Sequence, residues 1–224
     1  VTALLDFDRR WHWAVLVGLM LYTVSSLGAS ATQTIGQFSA FIYLASAAFV
    51  HAVIRKREGL MVLALFILTM KASLGLAFVV FAFVVPRWWR ALVIAGVLSV
   101  LCALPPVLGG GFMPILSGYL DGVAAYGTYE ANAPASMTGL RNLVFYALGI
   151  DFSGLALGIM AARVVGLLGW FNSGAAAQTD HATMTAAIAT ILFLVPMHLY
   201  DLMLASVLLV GAIRPFFTIL WAAA

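Results

Sequence analysis

Apolar residues run along this chain in long blocks, and the polar residues fall almost entirely between the blocks. Each block is about twenty residues long, the length an α-helix needs to cross a hydrocarbon core of ~30 Å. Trp11–Leu27 is the first such span, followed by a short polar turn over Gly28–Thr34. Ile35–Ile54 is the second, closed by Arg55, Lys56, Arg57 and Glu58. Gly59–Val85 follows, broken by Lys71 and closed by Pro86, Arg87, Trp88, Trp89 and Arg90. Ala91–Leu108 is expected to stop at Pro105, Pro106 and the three glycines 109–111. A long loop with polar residues covers 109–152. Leu155–Phe171 is another span, and a soft loop occupies Asn172–His181. Thr183–Ile213 is interrupted by His198, Leu199, Tyr200 and Asp201 and closed by Arg214 and Pro215.

The basic residues set the expected orientation, because cytoplasmic turns are enriched in Lys and Arg. Arg9, Arg10, Arg55, Lys56 and Arg57 belong inside, and so do Arg87, Arg90 and Arg214. A single helix over Gly59–Val85 would put Arg87 and Arg90 outside. Two short arms with Lys71 at the bend return them to the cytoplasm. Each arm holds roughly twelve to fourteen residues, or about 18–21 Å. That is short of a full crossing, so Lys71 is expected below the outer surface. The same reasoning makes a hairpin of Thr183–Ile213 and turns His198, Tyr200 and Asp201 toward the outer side, where the 109–152 loop also lies.

Composition agrees with this pattern: 64% of the residues are hydrophobic and 8% are charged. A soluble domain is nearer one-quarter charged, and this chain has too few polar residues to cover a water-facing surface. The net charge of +3 comes from cations scattered between apolar blocks, which are topology signals and not a nucleic-acid surface. The lone cysteine, Cys102, excludes an internal disulfide framework. The expected fold is therefore all-α: a polytopic membrane helical bundle with re-entrant or half-spanning helix pairs, forming one transmembrane domain over residues 1–224. The chain opens at Val1 without a signal peptide and closes on the apolar Phe216–Ala224. It is expected to be the C-terminal part of a longer membrane protein.

Ionisable residues at membrane depth are costly and usually mark a site. Lys71 has the strongest claim; its bland reading is a lysine reaching for a headgroup. His198 and Asp201 either serve a site or satisfy each other across one helical turn. Arg141 is a site cation or an ordinary interfacial one. Asp121 and Glu130 read as solvated loop carboxylates. Arg163 lies inside a span and is expected to snorkel or pair. Phe112–Gly127 carries an apolar stripe of Phe112, Ile115, Leu116, Tyr119, Leu120, Val123 and Tyr126, the pattern of a helix lying in the interface.

The order of these features resembles glycosyltransferase family 87, polyprenol-phosphate-dependent enzymes of the C superfamily that include mycobacterial-type mannosyl- and arabinofuranosyltransferases. The matching pieces are Gly36 and Gln37 at the outer start of a span, the basic turn, Lys71 between two half-helices, and Arg87 to Arg90. Ser136 to Arg141 and His198 to Asp201 follow. The chain has Lys71, Ala72, Ser73 where the family often has Lys-Pro-Gln, and Ala135 where it often has Asn or Gln. The resemblance implies transfer of a hexosyl or pentosyl group from a polyprenyl-phosphate sugar to a glycan or glycolipid acceptor, on the extracytoplasmic side of the cytoplasmic membrane. Lys71, Arg141 and His198 would hold the donor phosphate. Gln37, Tyr200 and Asp201 would bind sugar hydroxyls or orient the cations. The superfamily's catalytic carboxylate lies in an early outer loop, so the general base is expected upstream of Val1. No metal and no cofactor are expected. The rival reading is a multi-pass transporter or flippase, since broken helices with charges at depth also occur there.

Overall fold

The computed structural model describes residues 39–126, 129, 132–173 and 180–198, and these form a helical bundle without strands. The expected Trp11–Leu27 span, Gln37, Glu130, Tyr200, Asp201 and the second arm of Thr183–Ile213 lie outside the described residues. In chain order the helices are α1 (Ser39–Arg55), α2 (Glu58–Thr69), α3 (Ala72–Val84), α4 (Trp89–Gly110), α5 (Phe112–Tyr126), α6 (Leu140–Leu148), α7 (Gly154–Ser173) and α8 (Asp180–Leu194).

The helical hairpin expected around Lys71 is formed by α2 and α3. The α2 ladder ends when Met70 and Lys71 donate their N–H groups back to Ile67 and Leu68. Lys71 leaves the helical region at φ −122°, ψ 83°, and its carbonyl accepts the first bonds of α3, from Leu74 at 3.1 Å and Gly75 at 2.8 Å. Gly75 makes the bend possible. A Cβ there would overlap the Leu68 carbonyl, so only glycine lets the two arms approach so closely at the tip.

Two contacts fix the direction of the arms. Arg90, at the start of α4, pairs with Glu58, at the start of α2, at 3.4 Å. Thr69, at the end of α2, shares a hydrogen bond of 3.1 Å with Ser99 of α4. So α2 and α4 run parallel in direct contact, and α3, which links them in the chain, must run back. Arg87 and Arg90 return to the end that carries Arg55–Glu58, as the basic residues required.

The core sits between α1, α3 and α7. Phe49 of α1 meets the edges of Phe78 and Phe81 of α3, with centroids 4.9 and 5.6 Å apart. On the other side, α3 presses Val80 toward Gly166, and Phe81 and Val84 toward Gly169, both on α7. Small residues on α7 let the two helices pack closely. α8 returns beside α7, with Thr183 at 3.4 Å from Asn172.

In contrast, α4 buries only Ala91 and Ala95. Val93, Val97, Leu101 and Leu108 are exposed, Leu108 by 81%. Among the described residues, two helical stretches are long and apolar enough to cross a membrane, Pro86–Gly110 and Gly154–Ser173.

Three expectations need correction. Pro105 and Pro106 do not stop α4, which continues to Gly110. Each proline removes one ladder N–H, yet the helix ends only where Gly111 turns to φ +81°. Residues 109–152 are not mainly loop. They hold α5, as the apolar stripe predicted, and α6, whose nine residues gave no sustained period. Finally, the break before His198 comes earlier. α8 ends at Leu194 because Pro196 has no N–H to continue the ladder and its ring disfavours a helical Val195.

Candidate functional site

Lys71 is half-buried at the hairpin tip. The tip lies level with Ser99, and α4 runs on for eleven more residues to Gly110, about 16 Å beyond it. Lys71 therefore stands about halfway along α4, the longest described helix, and short of its C-terminal end. The contacts of Gly166 with Val80 and of Gly169 with Val84 show that α3 and α7 run parallel. Carried back at equal rise, that register puts Lys71 level with the first turn of α7, which begins at Gly154.

Arg141 is at that same end. Its Nε donates to Asp151 Oδ1 at 2.8 Å and its Nη2 to Oδ2 at 3.0 Å, while Nη1 donates to the Asn132 carbonyl at 3.2 Å. The side chain is only 16% exposed, against 48% for Asp151. A Cβ on Gly154 would lie 3.9 Å from Arg141 Nη1 and 3.3 Å from Pro196. One guanidinium thus gathers Asn132, Asp151, the start of α7 and the segment after α8. Its hydrogen bonds hold the Asp151 carboxyl below its usual pKa. Burial opposes that shift weakly.

The loop before α6 is tied to the segment that carries His198. The Thr138 N–H and hydroxyl both donate to the Met197 carbonyl, at 2.8 and 3.0 Å. Gly139, at φ +87°, lies so near the end of α8 that a Cβ would come within 2.8 Å of the Phe193 carbonyl. Asn142 donates to the Pro134 carbonyl at 3.0 Å and closes the same loop from the other side. His198 follows Met197 directly and is half-buried.

The bundle therefore brings Lys71, Arg141 and His198 to one end. It does not draw in Asp121, which is exposed on α5, or Arg163, which is exposed on α7. Gln37, Tyr200 and Asp201 lie outside the described residues. Sequence reasoning counted Asp151 among the charges of the 109–152 loop but did not pair it with Arg141, and it missed Asn132. No period links positions 141 and 151. Asn132 acts through its backbone, which leaves no trace in residue type.

Chemically, this end offers an amine at depth, an imidazole, and a guanidinium already compensated by a carboxylate. An anion approaching Arg141 would have to share it with Asp151 or displace it. Among the described residues, no group of three His, Cys, Asp or Glu side chains could hold a metal ion. Compared with protein-family models, curated proteins and solved structures, the chain matches none.

Proposed function

We propose that this chain is the membrane-embedded part of a glycosyltransferase that moves a sugar from a polyprenyl phosphate to a glycan or glycolipid acceptor, on the extracytoplasmic side of a cell membrane. The observation that carries the reading is the half-depth hairpin, with Lys71 at its tip and Arg141 and His198 at the same end. A lipid-phosphate donor places its charge just where its tail enters hydrocarbon. Cations that stabilise its departure must therefore sit below the surface and beside apolar helix faces. Lys71 meets that requirement on a broken helix, and the bare face of α4 rises beyond it.

In the proposed step an acceptor hydroxyl attacks the anomeric carbon. The bond from that carbon to the phosphate oxygen breaks, and the lipid phosphate leaves with the electron pair. Lys71 and His198 oppose the growing negative charge. Arg141 holds the loop and the α7 start around them, with its own charge balanced by Asp151. The hydroxyl proton passes to a general-base carboxylate, which is not assigned among the described residues. Asp151 is a poor proton acceptor, because Arg141 stabilises its ionised form.

The helix breaks favour this reading over transport. Hairpins of an inverted repeat would enter from opposite sides, whereas the Lys71 tip and the C-terminal end of α8 lie at one end of the bundle. The decisive test is Lys71→Ala in the complete protein, supplied with a polyprenyl-phosphate sugar in membranes. Transfer is expected to vanish while membrane insertion is unchanged. Undiminished turnover would remove Lys71 from the mechanism. For His198→Ala, full transfer accompanied by poor folding would make that residue structural.

A further inference from the structure

We infer that the end of the bundle opposite the candidate site is a binding surface for anionic lipid headgroups, built when the α2–α3 hairpin closes. Two stretches some thirty residues apart are brought together there by the 3.4 Å pair between Glu58 and Arg90. They contribute Arg55, Lys56, Arg57, Arg87 and Arg90. Among the described side chains, Glu58 stands against these five cations. The cations face outward: the Arg90 side chain is 80% exposed, and Arg55, Arg57 and Arg87 are exposed. Lys56 adopts the left-handed backbone at φ 54°, which packs the basic turn into the shortest link between α1 and α2.

What the cations adjoin decides the occupant. Arg87 stacks over Trp88 with its Cζ 5.6 Å from the ring centroid, and the exposed Trp89 begins the bare apolar face of α4. A basic and aromatic rim continuous with an apolar band fits a phosphate-bearing lipid surface, in which headgroup and acyl chain follow in the same order. Nucleic acid or a soluble anion would not need the apolar band. The closed hairpin foot is thereby held by the membrane as well as by Glu58. This inference uses no donor, acceptor or transfer step, so it survives or fails independently of the proposed enzyme activity.

The test is thermal unfolding of the full chain in neutral detergent, with added phosphatidylglycerol, phosphatidylcholine or inorganic phosphate. Phosphatidylglycerol is expected to raise the midpoint by about 5 °C, and the other two to leave it nearly unchanged. The rise should disappear in Arg57→Gln/Arg90→Gln, persist in Arg57→Lys/Arg90→Lys, and persist in Arg163→Gln, whose cation lies away from this end. If the double glutamine variant does not fold, salt on the unaltered chain decides, because 0.5 M NaCl should remove most of the lipid effect through screening. Equal stabilisation by phosphatidylcholine, the same shift with phosphate alone, or a response that ignores salt would each overturn the inference.

Discussion

Helices α3 and α4 follow one another, and both are apolar almost throughout, yet they meet different surroundings. α3 buries Leu74, Ala77, Phe78, Phe81 and Ala82 against α1 and α7. α4 buries two alanines and leaves its valines and leucines bare. Hydrophobicity does not separate the two, but the faces they meet do. α3 lies on a stripe of α7 made from Ala161, Ala162, Gly166 and Gly169, where backbones approach and large side chains interlock. α4 reaches its neighbours along one narrow side, through Ala91, Ala95 and Leu92, the Arg90–Glu58 pair and the Ser99–Thr69 hydrogen bond. Close packing and not apolarity alone holds such helices together, so α3 sets the fold, and α4 presents the bare face that the proposed membrane reading assigns to lipid.

The largest effect should come from the hairpin tip. Gly75→Val places side-chain atoms into the Leu68 backbone, which has no flexible end to move. The arms must separate, and a cost of about 3 kcal/mol or more is expected from overpacking alone. Thermal unfolding in detergent should show a lowered midpoint or no cooperative transition. A wild-type midpoint would mean that the arms are not in contact in solution. Next comes Phe78→Ala in the packed arm. It removes an aromatic side chain that is 2% exposed and its edge contact with Phe49. The expected loss is about 3 kcal/mol, read from the same unfolding curve.

The contrast between the arms was only half legible in the sequence. The blocks of apolar residues gave the helices, and the charge at Arg55–Arg57 and Arg87–Arg90 required the chain to turn back at Lys71. Both follow from local rules: length against hydrocarbon thickness, and cations confined to one side. Which apolar helix would be covered by protein was not legible, because it depends on Gly166 and Gly169 lying opposite Phe81 and Val84, some eighty residues away. The site divides in the same way. Lys71 was conspicuous as a charge inside an apolar block. The Arg141–Asp151 pair was not, since α6 and its turn bring those residues together without a period to read. Pro105 and Pro106 misled because their usual effect is to end a helix.

Smaller effects belong to the Arg141–Asp151 clamp, which lies between the packed core and the outer loops. The folded pKa of Asp151 is below its ordinary value, near 3.9, so the clamp contributes fully above that pH. Its contribution falls away as the pH drops through the folded pKa. Because the carboxylate is about half exposed, solvent screens the pair and the effect on global stability should be slight. Hydrogen exchange should reveal it locally. Amides of residues 132–142 are expected to lose protection, measured against their intrinsic exchange rates, in Asp151→Asn at pH 6, and in the unaltered chain below about pH 4. Unaltered protection in Asp151→Asn would show that Asn142 and Thr138 hold the loop without the clamp.

The smallest effect is the most telling for α4. Val97→Ala removes two methyl groups from the bare face of α4, where Val97 is 53% exposed. If lipid covers that face, hydrocarbon fills the space the methyls leave, and no cavity forms. The change in stability should stay within about 0.5 kcal/mol, as for other substitutions outside packed regions. If a protein surface covers it instead, the same truncation opens a void and should cost about 1 kcal/mol. Cys102 reports on the same face, since it is exposed on α4 and is the single cysteine of the chain. In sealed vesicles a charged maleimide should leave it unlabelled from either side, while a Gly59→Cys variant in the Cys102→Ser background should react from one side only. Rapid labelling of Cys102 by the charged reagent would put α4 in water and erase the distinction between the two arms.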